Sequence, residues 1–137
     1  MGWFDRIFGT ATTEEGHQTL DDLTEGAFPE GPLTVTDGDF KALIERFPLV
    51  VVDCWAAWCM PCRMIAPVIS ELATAHQEEI VFAKLNVDEN PVISREYNVM
   101  SIPTLLVFRD GELVDEIVGA MPKKDLETRL LQYVERT

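Results

Sequence analysis

The sequence predicts an α/β protein with a mixed central sheet and helices on both of its faces. From residue 33 onward, short runs rich in β-branched residues alternate with longer stretches of helical periodicity. The last two of these runs are joined by a hairpin signal and followed by one more helical stretch. Strands that alternate with helices and then form a hairpin indicate a sheet that contains both parallel and antiparallel pairs.

The first half of this pattern centres on one very apolar segment. "LTVT" at residues 33–36 is a short strand, and Asp37 is expected to cap a helix that runs to Phe47. "PLVVVDCW" is almost continuously apolar and β-branched, which is typical of a central strand buried on both faces. Residues 59–78 are predicted to form a long helix with a kink at Pro67, because proline disrupts the helical hydrogen bonding.

The second half completes the sheet. "IVFAKLNVD" is a second buried strand, and residues 91–97 form a short helix. "TLLVF" and "ELVDEIV" are strands joined by a turn at residues 109–111. Residues 122–135 form the closing helix, with an apolar face. That face consists of Leu126, Leu130, Leu131 and Val134.

Residues 1–32 differ from the rest and are predicted to be an acidic N-terminal extension, flexible or loosely packed, ahead of a domain at residues 33–137. The start of the extension carries four apolar residues at helical spacing, namely Trp3, Phe4, Ile7 and Phe8. This tip either docks on a membrane or partner, or packs on its own domain or stays disordered. The acidic flanks favour the second alternative, because anionic lipid repels them.

Charge excludes one class of partner. The net charge is −13, and phosphate backbones are bound by lysine and arginine, so nucleic acid is not an expected partner. The extension holds seven acids and one base. An acid-rich surface with few lysines fits either a protein adapted to high salt or an ordinary acidic protein with an acidic tail.

The expected cellular compartment affects the interpretation of the three cysteines. We see no secretory signal and no apolar run as long as a membrane span, so we expect a cytoplasmic protein with no membrane association. A reducing compartment disfavours a structural disulfide framework for the three cysteines.

A zinc site is one alternative for the cysteines. Such a site usually has four ligands, and this chain has one Cys-x-x-Cys pair. His17 in the extension and His76 near a helix end are not at ligand spacing, and both are expected to be solvated. We therefore expect no metal.

A redox pair is the favoured alternative. Cys59 follows a buried strand and opens a helix, where the helix dipole and free N–H groups lower a thiol pKa. Cys62 lies three residues on, within reach of Cys59, and Pro61 fits the first turn of the helix. A Cys-x-x-Cys between a buried strand and a helix is a strong redox signal.

Asp53 is the second indication of chemistry. It lies inside the apolar run "VVVDCW", where burial should raise the pKa of its carboxyl. It is either a structural acid satisfied by a lysine such as Lys84 on the next strand, or a proton acceptor for Cys62, and the two roles are compatible. Cys54 points to the opposite face of the strand and is expected to be a buried small hydrophobe, with a regulatory thiol as the lesser alternative. Trp55 and Trp58 flank the site as packing residues that also shield the sulfurs.

These residues resemble the thioredoxin family. "WCMPC" is similar to the family's active-site motif, and "VVVDCWAAWCMPCRMIAPV", "AKLNVDENP", "SIPTLLVFRDGE" and "VGA" follow in the family's order and spacing. The resemblance covers about residues 33–137 and is very specific. It implies the thioredoxin fold, with five mixed strands flanked by four helices. Trp55 and Pro67 are expected to support the site structurally.

The resemblance also implies roles. Cys59 would be the attacking thiol, Cys62 the resolving thiol, Asp53 the buried acid and Lys84 its neighbour. The substrate groove would consist of Trp58, Met60, Pro61, Ile102, the cis-proline Pro103, Gly119 and Ala120. Two positions depart from the family: Met60 replaces the usual glycine, and Cys54 stands where an aromatic residue is common.

The resulting hypothesis is a monomeric protein-disulfide reductase without bound cofactor. Its partners would be disulfide-containing target proteins and a thioredoxin reductase as electron donor. A disulfide oxidase or isomerase on the same fold is one alternative, disfavoured by Pro61, since more oxidising relatives often carry histidine there. A non-enzymatic binding module is the other, disfavoured because a binder does not need Cys59, Cys62, Asp53 and Pro103 together.

Overall fold

The central sheet has five strands among residues 18–134, the part of the chain that the computed structural model describes. They are β1 Leu33–Thr34, β2 Leu49–Trp55, β3 Val81–Asn86, β4 Thr104–Arg109 and β5 Glu112–Val118. Their order across the sheet is β1-β3-β2-β4-β5. Strand β3 pairs parallel with β1 and β2, whereas β4 pairs antiparallel with β2 and β5. The prediction of a mixed five-stranded sheet is confirmed.

Four α-helices within the same residues cover both faces of the sheet. They are α1 Phe40–Arg46, α2 Met60–Ala75, α3 Pro91–Glu96 and α4 Lys123–Leu131. Helices α1 and α3 pack with Val52 and Cys54 of β2 in one apolar cluster. Helices α2 and α4 pack with Leu49 and Val51 of the same strand in a second cluster. Neighbouring residues of β2 therefore point into different helical layers, as the alternation of a strand requires.

Strand β2 is central because its sequence has no polar face. Leu49 to Cys54 are all buried, and the strand lies between β3 and β4. A strand of this composition is stable only where helices cover both of its sides. The predicted hairpin between β4 and β5 is also confirmed. Its turn residues Asp110 and Gly111 have φ of 52° and 83°, the left-handed values that a two-residue hairpin turn favours.

Helix ends differ from the prediction by a few residues. The long helix begins at Met60 and ends at Ala75, continuing through Pro67. The closing helix ends at Leu131, and its buried residues are Leu126 and Leu130.

The role predicted for Asp37 is wrong. Helix α1 begins at Phe40, and the residue before it, Asp39, makes no side-chain cap. The Asp37 carboxylate instead accepts hydrogen bonds from the backbone N–H groups of Val92 and Ile93, at 3.1 and 2.9 Å. These are free N–H groups of the first turn of α3, which begins with Pro91. Asp37 therefore caps a helix more than fifty residues away, which local sequence spacing does not reveal.

Part of the N-terminal extension contacts the domain. Thr19 forms a parallel bridge with Thr34 of β1, and Leu20 is buried in the core cluster of α1 and α3. The Phe28 ring lies 5.6 Å from that of Phe47. The boundary at residue 32 stays a prediction, and the apolar tip and His17 lie outside the described residues.

The C-terminal end of α2 is tied to α4 by a histidine. His76 lies 3.0 Å from Glu79 through Nδ1 and 2.6 Å from Glu127 through Nε2, so a protonated ring donates to both carboxylates. Burial lowers the pKa of His76, but the hydrogen bonds to Glu127 and Glu79 raise it, and the result lies above its ordinary value. The prediction of a simply solvated His76 is therefore wrong.

Among residues 18–134, no helix has both the length and the apolar character that crossing a membrane requires.

Replacing Asp37 with Ala should lower the free energy of unfolding by about 1 kcal/mol, because two N–H groups of α3 lose their acceptor. Urea unfolding measures the loss, and amide hydrogen exchange at Val92 and Ile93 should accelerate. Asp37→Asn keeps one acceptor oxygen and should lose less. Unchanged exchange at both amides would contradict the cap.

Raising the pH from 6 to 9 should remove the stability that His76 contributes. The pKa of His76 is raised in the folded state, so its contribution is full below its ordinary value of 6.5 and is lost as pH rises through the folded value. Urea unfolding of the protein and of His76→Gln at both pH values measures this. The two should differ more at pH 6 than at pH 9, and a constant difference would refute the ion pair.

Candidate active site

Cys59 and Cys62 lie where the chain leaves β2 and enters α2. Cys59 is the residue before the helix, and the backbone N–H of Cys62 donates to its Sγ at 3.2 Å. The Cys59 N–H in turn donates to the Ala56 carbonyl at 3.1 Å, which closes the loop between strand and helix. The Cys59 sulfur thus occupies the position of a helix-capping acceptor, at the positive end of the helix dipole.

The two cysteines are joined by a disulfide, with their Cα atoms 5.3 Å apart. Both are buried, and they pack with Ala56, Trp55 and Ile102 in a small apolar cluster at one end of the sheet. The residues around them are exposed, Met60 by 63% and Trp58 by 68%. The disulfide therefore lies beneath an exposed apolar surface that another protein can contact, while the two cysteines themselves are little exposed to water.

The opposite wall of this cluster is the loop before β4. The Ile102–Pro103 peptide bond is cis, as the resemblance implied, and Ile102 contacts the cysteine cluster. The Pro103 carbonyl accepts a hydrogen bond from the Gly119 N–H at 2.8 Å, which joins this loop to the end of β5. Gly119 has φ of 90°, a backbone conformation that side-chain-bearing residues rarely adopt. Ala120 follows it and is exposed.

Asp53 is buried in β2 with 1% of its surface exposed. Neither carboxyl oxygen has a hydrogen-bond partner among residues 18–134. Burial raises the pKa of Asp53 from 3.8 to about 7, although the positive charge of Lys84 lowers it. The carboxyl is therefore poised to gain or lose a proton near neutral pH.

Lys84 lies beside Asp53 but contacts a different residue. The two are partners in the parallel register of β2 and β3. The Lys84 ammonium lies 4.8 Å from the centroid of the Trp55 ring, a cation–π contact. The sequence placed Lys84 next to Asp53 correctly, but the contact of its charged end depends on where the Trp55 ring lies.

Trp58 is held by an acid that the sequence analysis missed. Its Nε1 donates to the Asp88 carboxylate at 2.9 Å, across thirty residues of sequence. Asp88 is part of "NVDENP", directly after β3, and strand ends at the same edge of a parallel pair collect side chains around one site. The position of Asp88 at the end of a predicted buried strand was the sequence feature that could have identified it.

Cys54 points away from the disulfide, as the strand alternation predicts. It is fully buried in the apolar cluster of α1 and α3. Burial raises the pKa of the Cys54 thiol to about 12, with further increases from Asp53 and Glu116. A thiol with this pKa is almost entirely protonated at neutral pH and is a poor nucleophile.

The fold thus brings most of the predicted site residues to one end of the sheet. Contacts link Cys59, Cys62, Trp55 and Ile102, and a hydrogen bond joins Gly119 to Pro103. Pro61 is exposed in the first turn of α2, whereas Pro67 lies two turns further along that helix. Within residues 18–134, no group of three or more histidine, cysteine or acidic side chains is arranged to hold a metal ion.

Comparison with known proteins gives consistent matches. The family model described as Thioredoxin matches residues 31–132. Thioredoxin from Alicyclobacillus acidocaldarius is 47% identical over 103 residues, which cover 75% of this chain and 98% of that protein. Thioredoxin from Staphylococcus aureus is 52% identical over 92 residues, covering 67% and 88%. A solved structure of a mutant thioredoxin from Halobacterium salinarum NRC-1 has a TM-score of 0.75 at 35% identity, covering 81% of this chain and 97% of that one.

Replacing Asp53 with Asn should stabilise the fold by roughly 1–4 kcal/mol at pH 8, because a buried unpaired carboxylate is removed. The pKa of Asp53 is raised to about 7, so the wild-type protein loses stability as pH rises from 4 through 7. The gain of the variant should therefore vanish near pH 4. Urea unfolding between pH 4 and 8 measures it.

Asp125→Asn is the matched control, since Asp125 is exposed on α4 and the charge change is the same. Equal effects of the two substitutions would show that the burial of Asp53 does not affect stability.

Proposed function

Because the chain belongs to the thioredoxin family and is a thiol-disulfide oxidoreductase that reduces protein disulfides, we propose that Cys59 attacks the target and Cys62 resolves the complex. The observation that carries this assignment is the position of Cys59 before α2, with the Cys62 N–H directed at its sulfur. A thiolate gains from both the hydrogen bond and the helix dipole. Cys62 lies inside the helix and is 2% exposed, which suits a thiol that reacts only within the protein.

The reaction proceeds in two exchanges. The Cys59 thiolate attacks one sulfur of the target disulfide, forms a mixed disulfide with it, and expels the other target sulfur as a thiolate. Cys62 then loses its proton and attacks the Cys59 sulfur. The Cys59–Cys62 disulfide forms, the second target sulfur leaves and is protonated, and two electrons have passed to the target.

Asp53 is the proposed proton acceptor for Cys62. A base is most effective when its pKa lies near the working pH, and burial raises the pKa of Asp53 to about 7. Asp53 lies on the same face of β2 as Val51, which packs in the cluster of α2, the helix that carries Cys62. Lys84 is the proposed charged neighbour that moderates the rise.

Target proteins are proposed to bind on the exposed apolar surface around the disulfide. Trp58, Met60 and Pro61 form one side of it, and the loop of Ile102 and Pro103 the other. Gly119 and Ala120 extend the second side, and an extended peptide can pair with backbone groups there. Met60 adds a flexible apolar side chain to this contact surface, which suits varied targets.

The electron donor and location are also part of the proposal. Reduction of the Cys59–Cys62 disulfide is assigned to a thioredoxin reductase, and the protein is proposed to act as a monomer. A cytoplasmic location supports this role, because a reducing compartment supplies the electrons.

Replacing Cys62 with Ser should trap the mixed disulfide, because the second exchange cannot occur. Incubation with a disulfide-containing protein such as insulin should yield a covalent complex on a non-reducing gel, which dithiothreitol releases. Cys59→Ser is the matched control and should yield no complex. Equal trapping by both variants would overturn the assignment of the attacking thiol.

A redox titration against a dithiol buffer, followed by tryptophan fluorescence, should show one two-electron transition near about −270 mV. That value is expected of a reductant with a stable disulfide. A transition towards about −120 to −180 mV would instead support the oxidase or isomerase alternative.

A further inference from the structure

We propose that Trp55 is a positioning residue for the Asp53 carboxyl: its ring holds the Lys84 ammonium and keeps it from pairing with that carboxyl. The inference deepens the proposed function and rests on it for its catalytic consequence. Asp53 and Trp55 lie on β2 and Lys84 on the adjacent β3, near the end of the sheet where the disulfide is.

All three side chains are on one face of the sheet. Asp53 and Trp55 alternate with Cys54, which points into the opposite apolar cluster. On β3, Ala83 and Leu85 lie in that opposite cluster, so Lys84 between them points to the face of Asp53. Asp53 and Lys84 are also register partners, so their side chains leave the backbone next to each other.

The ammonium nevertheless contacts the aromatic ring and not the carboxyl. Lys84 Nζ lies 4.8 Å from the Trp55 ring centroid, while both Asp53 oxygens are without a hydrogen-bond partner among residues 18–134. The negative face of the indole attracts the ammonium and holds it away from the carboxyl. The Trp55 ring also packs against the cysteine cluster, which holds it in this position.

No second charge explains the environment of Asp53 within the described residues. Lys84 is the charged group that acts on its pKa. The register partner of Asp53 on β4 is Leu105, which is apolar. Cys62 of α2 carries no charge, because it is in the disulfide. Cys54 on the same strand stays protonated, because burial raises its pKa to about 12.

The consequence is a carboxyl that keeps its proton up to neutral pH. With Trp55 present, Lys84 stabilises the carboxylate only through space. Without the ring, the ammonium is free to close on the Asp53 oxygens, where an ion pair with hydrogen bonds would favour the charged form. Asp53 would then be a weaker base for Cys62.

The test is a titration of the Asp53 carboxyl by carbon NMR in labelled protein. Trp55→Leu should lower its proton affinity by about threefold or more, whereas Trp55→Phe, which keeps an aromatic face, should change it little. Lys84→Met should raise it. In the Lys84→Met background, Trp55→Leu should have no further effect.

The double variant separates this mechanism from water entry. If Trp55→Leu lowers the proton affinity equally with and without Lys84, exposure of the carboxyl is the cause and the proposal is overturned. A Trp55→Leu variant that titrates like wild type also overturns it. If the leucine variant does not fold, Trp55→Met replaces it, because methionine is long and apolar but has no aromatic face to hold the ammonium. It should lower the proton affinity as leucine would, and a wild-type titration of this variant would overturn the proposal.

Stopped-flow kinetics of mixed-disulfide resolution against pH distinguish this inference from the proposed function. If the Asp53 titration shifts as expected and the kinetic pH profile shifts with it, both stand. If the titration shifts and the profile does not, Trp55 still positions Lys84, but Asp53 is not the proton acceptor for Cys62.

Discussion

The burial of strand β2 on both faces is the constraint on which the rest of the structure depends. An apolar strand of this kind requires a helical layer on each side, and α1 with α3 and α2 with α4 provide them. The same strand ends at the loop that carries Cys59. A strand buried on both faces therefore leads directly into the loop that carries the disulfide.

The burial of β2 also changes the acidity of Asp53. An acid on such a strand cannot reach water, so burial raises the pKa of Asp53 to about 7 and gives it a proton to exchange at neutral pH. Trp55 and Lys84 lie next to this acid, and the charge of Lys84 lowers the pKa of the carboxyl while the ammonium contacts the Trp55 ring.

The helix-capping groups come from nearby residues in one helix and from distant residues in another. The first turn of α2 has its cap within the motif, where the Cys59 sulfur accepts from the Cys62 N–H. The first turn of α3 is capped by Asp37 from a distant loop. The end of α2 that carries the disulfide is thus capped from within its own segment, whereas α3 is fastened to the loop that follows β1.

The sequence by itself determined the sheet, its helical layers and the pair of cysteines that forms the disulfide, because these depend on periodicity and on spacing within one segment. The apolar run of β2, the Cys-x-x-Cys after it and the hairpin at Gly111 are all local patterns. Only the tertiary structure decided that Asp37 caps α3, that Asp88 holds Trp58, that His76 joins α4 and that Lys84 lies over Trp55. Each of these contacts joins side chains far apart in the chain or depends on the direction of a flexible side chain, and the folded backbone sets both.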